Sequence, residues 1–282
     1  MALSERHKGT LYMVITAILF SFGGLGIKQV PWAPLAINGA RNSIATVIIG
    51  FYLLRTKHKV VVNRSVLIGA ASMMITTTLF VIANKQTTAA NAIVLQFTAP
   101  VFLILIMWLF YAERPTGTDI VACIAVLTGI ACFFIDGMQA GGMLGNVLAL
   151  LSGVTYAGVF MMEAMPGSDS LSSILIGQAC SALLGLPFLL RERDFSAQPV
   201  TAVLLLGIFQ LGLAYIFLSH GLRYTTPVTA ALTTGIEPIL NPVWVALFFG
   251  EHVSFLSVVG GVIVVGSILI YNVKKARLQK TG

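Results

Sequence analysis

Long apolar runs, separated by short polar stretches, occupy almost the whole of this 282-residue chain. A helix that crosses the hydrocarbon core of a bilayer needs about 20 apolar residues. Runs of that length predict ten membrane-spanning helices, at 9–30, 34–54, 65–84, 88–111, 117–136, 143–164, 171–190, 200–221, 227–249 and 255–273. Short connections that contain Pro and Gly, such as Pro166-Gly167, separate them. The pattern therefore predicts an all-α, polytopic membrane protein.

One pattern occurs twice along the chain, 138 residues apart. Pro100 is followed by a twelve-residue apolar run and Glu113, and Pro238 is followed by a twelve-residue apolar run and Glu251. The same shift pairs Lys85 with Arg223, Thr87-Thr88 with Thr225-Thr226, and Ala89 with Pro227. This repetition predicts a duplicated chain with halves at 1–137 and 138–282. Because five helices per half is an odd number, the second half starts on the opposite side of the membrane, and the halves are predicted to be inverted repeats.

The composition supports membrane embedding and changes how the net charge is interpreted. Only 10% of the residues are charged and 57% are hydrophobic, whereas soluble domains carry about 25% charged residues. The net charge of +7 does not indicate nucleic-acid binding, because the Lys and Arg residues stand in short loops and tails instead of one continuous basic face. Cys123, Cys132 and Cys180 lie inside apolar runs without paired spacing, which predicts small buried side chains and no metal.

The distribution of Lys and Arg predicts the orientation. With the N-terminus in the cytoplasm, twelve Lys and Arg residues fall in inside segments and four in outside loops. Cytoplasmic segments carry the excess of these residues, so both termini are predicted to be cytoplasmic, in the cell (inner) membrane. The first apolar run has no small-residue cleavage signal and is interpreted as a retained helix.

Several motifs are similar to those of a known family. The second half contains Glu237-Pro238, Gly250-Glu251 and Gly260-Gly261 with Gly266, and the first half contains Ala99-Pro100, Ala112-Glu113 and Gly129. In these motifs the chain resembles transporters of the drug/metabolite superfamily with two EamA domains, including YddG-like amino acid exporters. One departure is Phe22-Gly23, where the family often has Trp-Gly. The resemblance implies a ten-helix transporter with a central cavity between the halves, lined by helices one to four and six to nine.

Charged side chains at bilayer depth are costly, so each is a candidate for function. Arg41 in the second helix is predicted to bind a substrate carboxylate, because a guanidinium forms paired hydrogen bonds with carboxylates. The alternative is that it snorkels or caps a neighbouring helix. Glu237 in the ninth helix is predicted to bind a substrate ammonium or carry a proton, and the alternative is a structural acid that pairs with Arg41 or with helix ends.

Other polar and small residues complete the predicted site. Further predicted substrate contacts are Asn38, Gln96, Phe97, Tyr156, Gln178 and Asn241. Predicted hinge or gate positions are Gly23, Gly24, Pro100 and Pro238, because Gly and Pro loosen a helix. Glu163 is expected to meet solvent. Lys85 and Arg223 are expected to anchor to headgroups or cap helix ends, with symmetric gate charges as the alternative.

No phosphate-binding loop, metal-ligand pair or nucleophile with a neighbouring base is present in the sequence, so we predict no enzyme activity, cofactor or metal. The patterns favour a secondary transporter that exports amino acids or similar small polar metabolites by alternating access. Uptake of a cationic nutrient such as choline, held by aromatic rings and an acid, is an alternative. A non-transporting scaffold is another. The predicted partners are a small-molecule substrate and the lipid bilayer, not nucleic acid, and the sequence is compatible with a monomer.

Overall fold

The computed structural model describes residues 5–112, 114, 116–140, 142–238, 240, 244 and 254–281, and throughout this part the regular structure is helical. In chain order the α-helices are α1 (Glu5–Phe20), α2 (Gly23–Gln29), α3 (Pro34–Thr56), α4 (Arg64–Gln86), α5 (Ala89–Gln96), α6 (Ala99–Tyr111), α7 (Gly117–Ala140), α8 (Met143–Phe160), α9 (Ser170–Leu189), α10 (Ala197–Leu205), α11 (Ala214–Leu222), α12 (Pro227–Thr233) and α13 (Phe255–Thr281). A π-helix, Leu206–Leu213, joins α10 to α11, and 3-10 turns occupy Met161–Glu163 and Thr234–Ile236.

Six helical spans of the described chain are long and apolar enough to cross a membrane. They are His7–Gln29, Arg64–Gln86, Ala89–Tyr111, Met143–Glu163, Ser170–Leu189 and Ala197–Leu222. The predicted second span, α3, is not among the six, because the polar residues Asn38, Arg41 and Asn42 lower its mean hydropathy. The multi-pass, all-helical prediction agrees with these spans, while the count of ten and the inversion stay predictions. Much of the second copy of the repeated pattern, from 239 to 253, lies outside the described residues, as does Glu113 of the first copy.

Two spans predicted as continuous are interrupted near their middle. The first breaks at Ser21-Phe22, between α1 and α2, and the fourth breaks at Phe97-Thr98, between α5 and α6. Pro100 explains the second break, because it lacks an N–H and its ring clashes with the preceding turn. The Thr98 hydroxyl donates to the Leu95 carbonyl at 2.7 Å, and the Thr98 N–H donates to the same carbonyl at 3.2 Å, so this acceptor stays satisfied at the break.

Helices of the two halves pack against one another along glycine contacts. α3 lies against α9 so closely that a Cβ added to Gly39 would be 2.7 Å from the Gly185 backbone. α4 packs on both α8 and α9, and a Cβ on Gly177 would lie 2.6 Å from the Ala70 carbonyl oxygen. α7 packs against α13, where Gly129 faces the Gly260 carbonyl. Side chains from both halves therefore meet in the interior.

The bundle has two ends, which we name after their repeat-related cations. At the Lys85 end, the Lys28 ammonium group donates to the Thr87 carbonyl at 3.1 Å, which joins the end of α2 to the end of α4. At the Arg223 end, α1 begins beside the end of α11, since a Cβ on Gly9 would lie 2.8 Å from Tyr224 Cβ.

Candidate functional site: a polar chamber between the halves

A polar chamber lies between helices of the two halves, with a cavity volume of about 20 Å³. It is lined by Phe20, Arg41, Thr76, Thr77, Phe80, Gln96, Tyr156, Gln210, Leu211, Tyr215 and Glu237. In this conformation the chamber has room for about one water molecule, well below the roughly 300–1,000 Å³ of small-molecule sites, so its wall must move apart to admit a ligand. The wall combines two ionisable groups, several hydrogen-bonding groups and four aromatic rings, so it matches a small polar ligand that also has an apolar part.

Four of the helix irregularities deliver a residue to this chamber. Phe20 and Gln96 are the last residues before the breaks in the first and fourth spans. Gln210 belongs to the π-helix, and Glu237 directly follows the 3-10 turn at Thr234–Ile236. Interrupted helices expose backbone and side-chain polar groups at membrane depth only where these line a cavity or are buried in protein, and π-helical segments are frequent at functional sites.

Arg41 is fully enclosed and bonded only to neutral groups. Its guanidinium donates from Nη1 to Gln210 Oε1 at 3.2 Å, and from Nη2 to Asn38 Oδ1 at 3.3 Å and the Thr77 carbonyl at 3.2 Å. The side chain is 1% exposed, and Nε has no hydrogen-bond partner. The π-helix reaches it closely, because Gly207 lets that backbone approach the Arg41 carbonyl. Arg41 therefore does not snorkel to the surface and meets no counter-ion among the described residues, but it does bond a carbonyl of the neighbouring helix α4, as the structural alternative holds.

Glu237 brings a carboxyl group to the same chamber. Its side chain is 4% exposed, and Oε2 has no hydrogen-bond partner in the described part of the chain. Arg41 and Glu237, which are both described, form no ion pair with each other. The structural alternative in which these two residues neutralise one another is therefore not what the structure shows. The chamber holds a buried cation and a buried carboxyl group that remain separate.

Aromatic rings form much of the remaining wall. The Phe20 and Tyr215 rings lie 4.9 Å apart between centroids, which joins the first and eighth spans. Tyr156 meets Phe97 edge-on at 6.4 Å and Phe160 at 4.7 Å. These pairs hold their rings in fixed orientations and offer apolar surface beside the two ionisable groups.

The structure brings four of the eight predicted contact residues to the chamber wall: Arg41, Gln96, Tyr156 and Glu237. Gln96 donates to Ser152 Oγ at 3.2 Å, a contact between the two halves. Asn38 and Phe97 stand behind the wall, since Asn38 accepts from Arg41 and Phe97 packs against Tyr156. Gln178 is buried without a partner for either amide atom and does not line the chamber. Asn241 lies outside the described residues.

The predicted hinge residues fall at or beside the helix irregularities. Gly23 and Gly24 begin α2 immediately after the first break, and Pro100 stands in the first turn of α6 after the second break. Pro238 is buried two residues after the 3-10 turn of the ninth span. A Cβ on Gly23 would lie 3.1 Å from Gln210 Nε2, so this glycine also lets Gln210 approach α2. Their role in gating stays a prediction.

Sequence reasoning did not single out Thr76, Thr77 and Leu211. The two threonines belong to a Thr76-Thr77-Thr78 run inside an otherwise apolar span, and that run is a visible signal for a polar wall. Thr77 contributes its carbonyl to Arg41, and Asn38 donates to Thr78 Oγ1 at 3.0 Å. Leu211 carries no comparable signal, because it reaches the chamber through the π-helical turn.

The charges at the two ends behave differently from one another. Lys85 Nζ donates to the carbonyl of Val30, the residue that follows α2, so it caps a helix end as expected. Arg223 instead lies 3.6 Å from Glu163 and 3.7 Å from Asp169. Glu163 was expected to meet solvent, but it is partly buried and also accepts from the Ser170 N–H at 3.1 Å. The loop after α8 folds back over it, which accounts for the difference.

Asp169 belongs to the same cluster, outside the membrane-spanning segments. It accepts from the Ser172 N–H at 2.7 Å as the N-cap of α9, and from His58 Nε2 at 3.1 Å. Burial raises the pKa of Asp169, but the hydrogen bonds from Ser172 and His58 outweigh it, and the net pKa is lower than the usual value. The carboxylate is therefore the favoured form in this cluster.

The interrupted spans and the enclosed polar chamber define a multi-pass membrane protein of the transporter class. A profile of the EamA-like transporter family matches residues 7–135 and 143–273, and the chain belongs to this family, within the drug/metabolite transporter superfamily. Each matched segment falls within one of the predicted halves. The exact boundary between the halves and their inversion stay predictions.

Known proteins resemble the chain over nearly its full length. An uncharacterized transporter of Clostridium kluyveri is 25% identical, with 95% of this chain and 94% of that protein covered. The pseudopaline exporter CntI of Pseudomonas aeruginosa is 25% identical over 98% of this chain and 100% of that protein. Human solute carrier family 35 member G1 is 23% identical over 92% and 77%. One crystal structure aligns with a TM-score of 0.71 at 16% identity, covering 96% of this chain and 99% of that one, which shows the shared fold.

Proposed function

We propose that this transporter exports small zwitterionic metabolites, amino acids foremost, by alternating access around the chamber. The observation that carries the proposal is a buried guanidinium and a buried carboxyl group that line one chamber without pairing with each other. Arg41 has only neutral partners, and Glu237 has none for Oε2 among the described residues. A buried charge without a counter-ion costs several kcal/mol. A ligand with a carboxylate and an ammonium group gives both groups a partner at once.

The helix irregularities support the alternating-access part of the proposal. Breaks, a π-helix and a 3-10 turn occur in four spans that surround one chamber. In secondary transporters, interrupted helices near the midplane form the substrate site, and the halves rock around it. The direction is supported by the relative in Pseudomonas aeruginosa that is named as an exporter. The excess of Lys and Arg supports a cytoplasmic location for the Arg223 end, where an exporter collects its substrate.

The proposal is tested by transport into proteoliposomes with single-residue variants. Arg41→Ala removes the cation expected to bind the carboxylate, whereas Arg55→Ala removes an exposed Arg from the last turn of the same helix, stacked on Phe51 at 5.0 Å. Hydrogen bonds to charged groups contribute about 1.5–3 kcal/mol, so we expect Arg41→Ala to weaken amino acid uptake roughly tenfold to a hundredfold. Arg55→Ala should transport like the parent protein. Equal losses in the two variants would contradict the assignment.

Choline uptake is a second candidate, favoured by the four aromatic rings and the carboxylate of the chamber. A quaternary ammonium ligand needs Glu237 but has no carboxylate for Arg41. The same assay separates the candidates when Glu237→Gln is added and radiolabelled choline is compared with a neutral amino acid. Amino acid flux that falls in both variants supports the export proposal. Choline flux that falls only in Glu237→Gln, without amino acid flux in the parent, supports the alternative.

A further inference from the structure

A second cavity, which we name the vestibule, lies next to the chamber at the Arg223 end. Its volume is about 320 Å³, and its wall includes Phe160, Glu163, Leu222, Arg223 and Pro227. Arg223 is exposed to solvent, so the vestibule communicates with water at this end. Its charged mouth and its apolar floor suit the approach of a small polar molecule.

The vestibule and the chamber share one wall, made by two rings of α8. Tyr156 lines the chamber and Phe160 lines the vestibule. Residues four apart lie on the same face of a helix, and these two ring centroids are 4.7 Å apart. Phe160 is 1% exposed and Tyr156 is 3% exposed, so the wall is closed. At this point only the pair of rings separates the vestibule from the chamber.

The backbone that carries Phe160 is held on both sides. Two residues earlier, Gly158 lets α8 lie directly against Ser72 of α4. Phe160 is the last residue of α8, and the 3-10 turn that follows ends at Glu163. Glu163 is tied to the start of α9 through the Ser170 N–H and to Arg223 at 3.6 Å. With its backbone fixed in this way, the ring itself is the part able to move.

We propose that Phe160 is the barrier residue between the chamber and the vestibule, and that its ring turns aside when substrate enters or leaves at the Arg223 end. Leu222 and Pro227, which also line the vestibule, form the opposite wall. The proposal rests on the proposed function only in taking the chamber as the resting place of the substrate. It assigns a rate-controlling side chain to the transport cycle.

The test measures access of water-soluble reagents to the chamber. Cys123, Cys132 and Cys180 are replaced by Ala, and Thr76→Cys places a single thiol in the chamber wall. A membrane-impermeant methanethiosulfonate is added to sealed vesicles from the side that the Arg223 end faces. Phe160→Ala is expected to raise the labelling rate of the Thr76→Cys thiol at least tenfold, and Phe160→Leu to raise it less. Phe20→Ala is the matched control, because it removes a chamber ring that does not line the vestibule.

Unchanged labelling in Phe160→Ala would overturn the proposal, and so would an equal rise in Phe20→Ala, which would mean that loss of any ring loosens the chamber. The leucine variant keeps an apolar side chain and guards against failure to fold, which size-exclusion chromatography of each variant monitors. The labelling does not depend on transport. A tenfold rise together with no amino acid flux in the parent would retain the barrier and reject the proposed substrate.

Discussion

The chamber is separated from the two ends of the bundle by barriers of different construction. Towards the Lys85 end, α8 packs on the ends of α4 and α5 from Gly145 to Gly153. A Cβ on Gly145 would lie 2.8 Å from the Thr87 nitrogen, and one on Gly153 would lie 2.8 Å from the Gln96 carbonyl oxygen. Eight residues of helix correspond to about 12 Å of close backbone packing. Towards the Arg223 end, the Phe160 and Tyr156 rings close the path.

The difference shows what opening each end requires. The Lys85 end opens only if helices separate, because backbone atoms are in contact there. The Arg223 end opens by a side-chain rotation, which occurs on a much shorter timescale than helix motion. The two repeat-related cations also differ between the ends. Lys85 donates to a neutral carbonyl, whereas Arg223 pairs with two carboxylates.

The largest effect is expected from Gly153→Ala. The new methyl group would meet the Gln96 carbonyl and Thr98 Oγ1, each at 2.8 Å, and force α8 away from α5. Overpacking of this kind destabilises by about 1–3 kcal/mol. We expect a lower temperature of thermal unfolding in detergent, and faster labelling of the Thr76→Cys thiol from the Lys85 end.

Gly50→Ala is the matched control for this substitution. Gly50 also lies inside a helix, but its added methyl group would meet only Leu175 Cδ1, at 4.0 Å. Because Ala favours the helix by about 1 kcal/mol over Gly, the control should unfold at the same or a higher temperature. A Gly153→Ala protein as stable as Gly50→Ala would show that the barrier at the Lys85 end is loosely packed.

A smaller effect is expected from Thr87→Val at the Lys85 end. The Thr87 hydroxyl donates to Asn146 Oδ1 at 2.8 Å and so joins the two halves, while the Thr87 carbonyl that accepts from Lys28 is kept. Loss of one buried hydrogen bond costs about 1 kcal/mol. Thr225→Val removes the repeat-related hydroxyl, which donates within its own chain segment to the Gly221 carbonyl. Denaturation midpoints should fall more for Thr87→Val, and the reverse order would contradict the inter-half role of Thr87.

The smallest effect is expected at acidic pH, on the stability contribution of Asp169 at the Arg223 end. The pKa of Asp169 is lower in the folded protein than its usual value of 3.8. Its contribution to the free energy of unfolding is therefore complete above about pH 4 and is lost as the pH falls through the lower folded value. Asp169→Asn keeps a good N-cap. It should reduce the loss of unfolding free energy at acidic pH, by no more than about 1 kcal/mol because the ion pair is partly exposed.

Asp194→Asn provides the comparison at the Lys85 end. Asp194 accepts from the Ser196 N–H at 3.0 Å inside an exposed loop, so we expect no change in global unfolding. Both variants are followed by thermal unfolding between pH 3 and pH 7. If the unfolding temperature of the wild-type protein does not change over this range, the Arg223 cluster has no acid-dependent role in stability.

Much of the fold was predictable from the sequence, because apolar runs of membrane length directly specify spanning helices. Two residues of the chamber wall, Arg41 and Glu237, could be singled out from the sequence because a charged residue type is costly inside a membrane span; their role in binding substrate stays a prediction. The irregular turns were harder to predict. The break at Phe97-Thr98 follows from Pro100, but the π-helix at Leu206–Leu213 has no Pro and arises where Gly207 packs against α3. Gln178 was predicted to contact substrate but does not line the chamber, because a polar residue within an apolar span does not reveal which face of its helix meets the chamber.

The contact between Gly39 and Gly185 has a mechanical consequence for the proposed cycle. Backbone atoms there touch without intervening side chains, so the contact can serve as a fulcrum between α3 and α9. Arg41 follows Gly39 by two residues, and residues close to a pivot are displaced least when helices rotate about it. A guanidinium at that position would stay in contact with its ligand while the more distant parts of the chamber wall move. The proposed substrate-binding residue and the pivot of the motion are therefore neighbours.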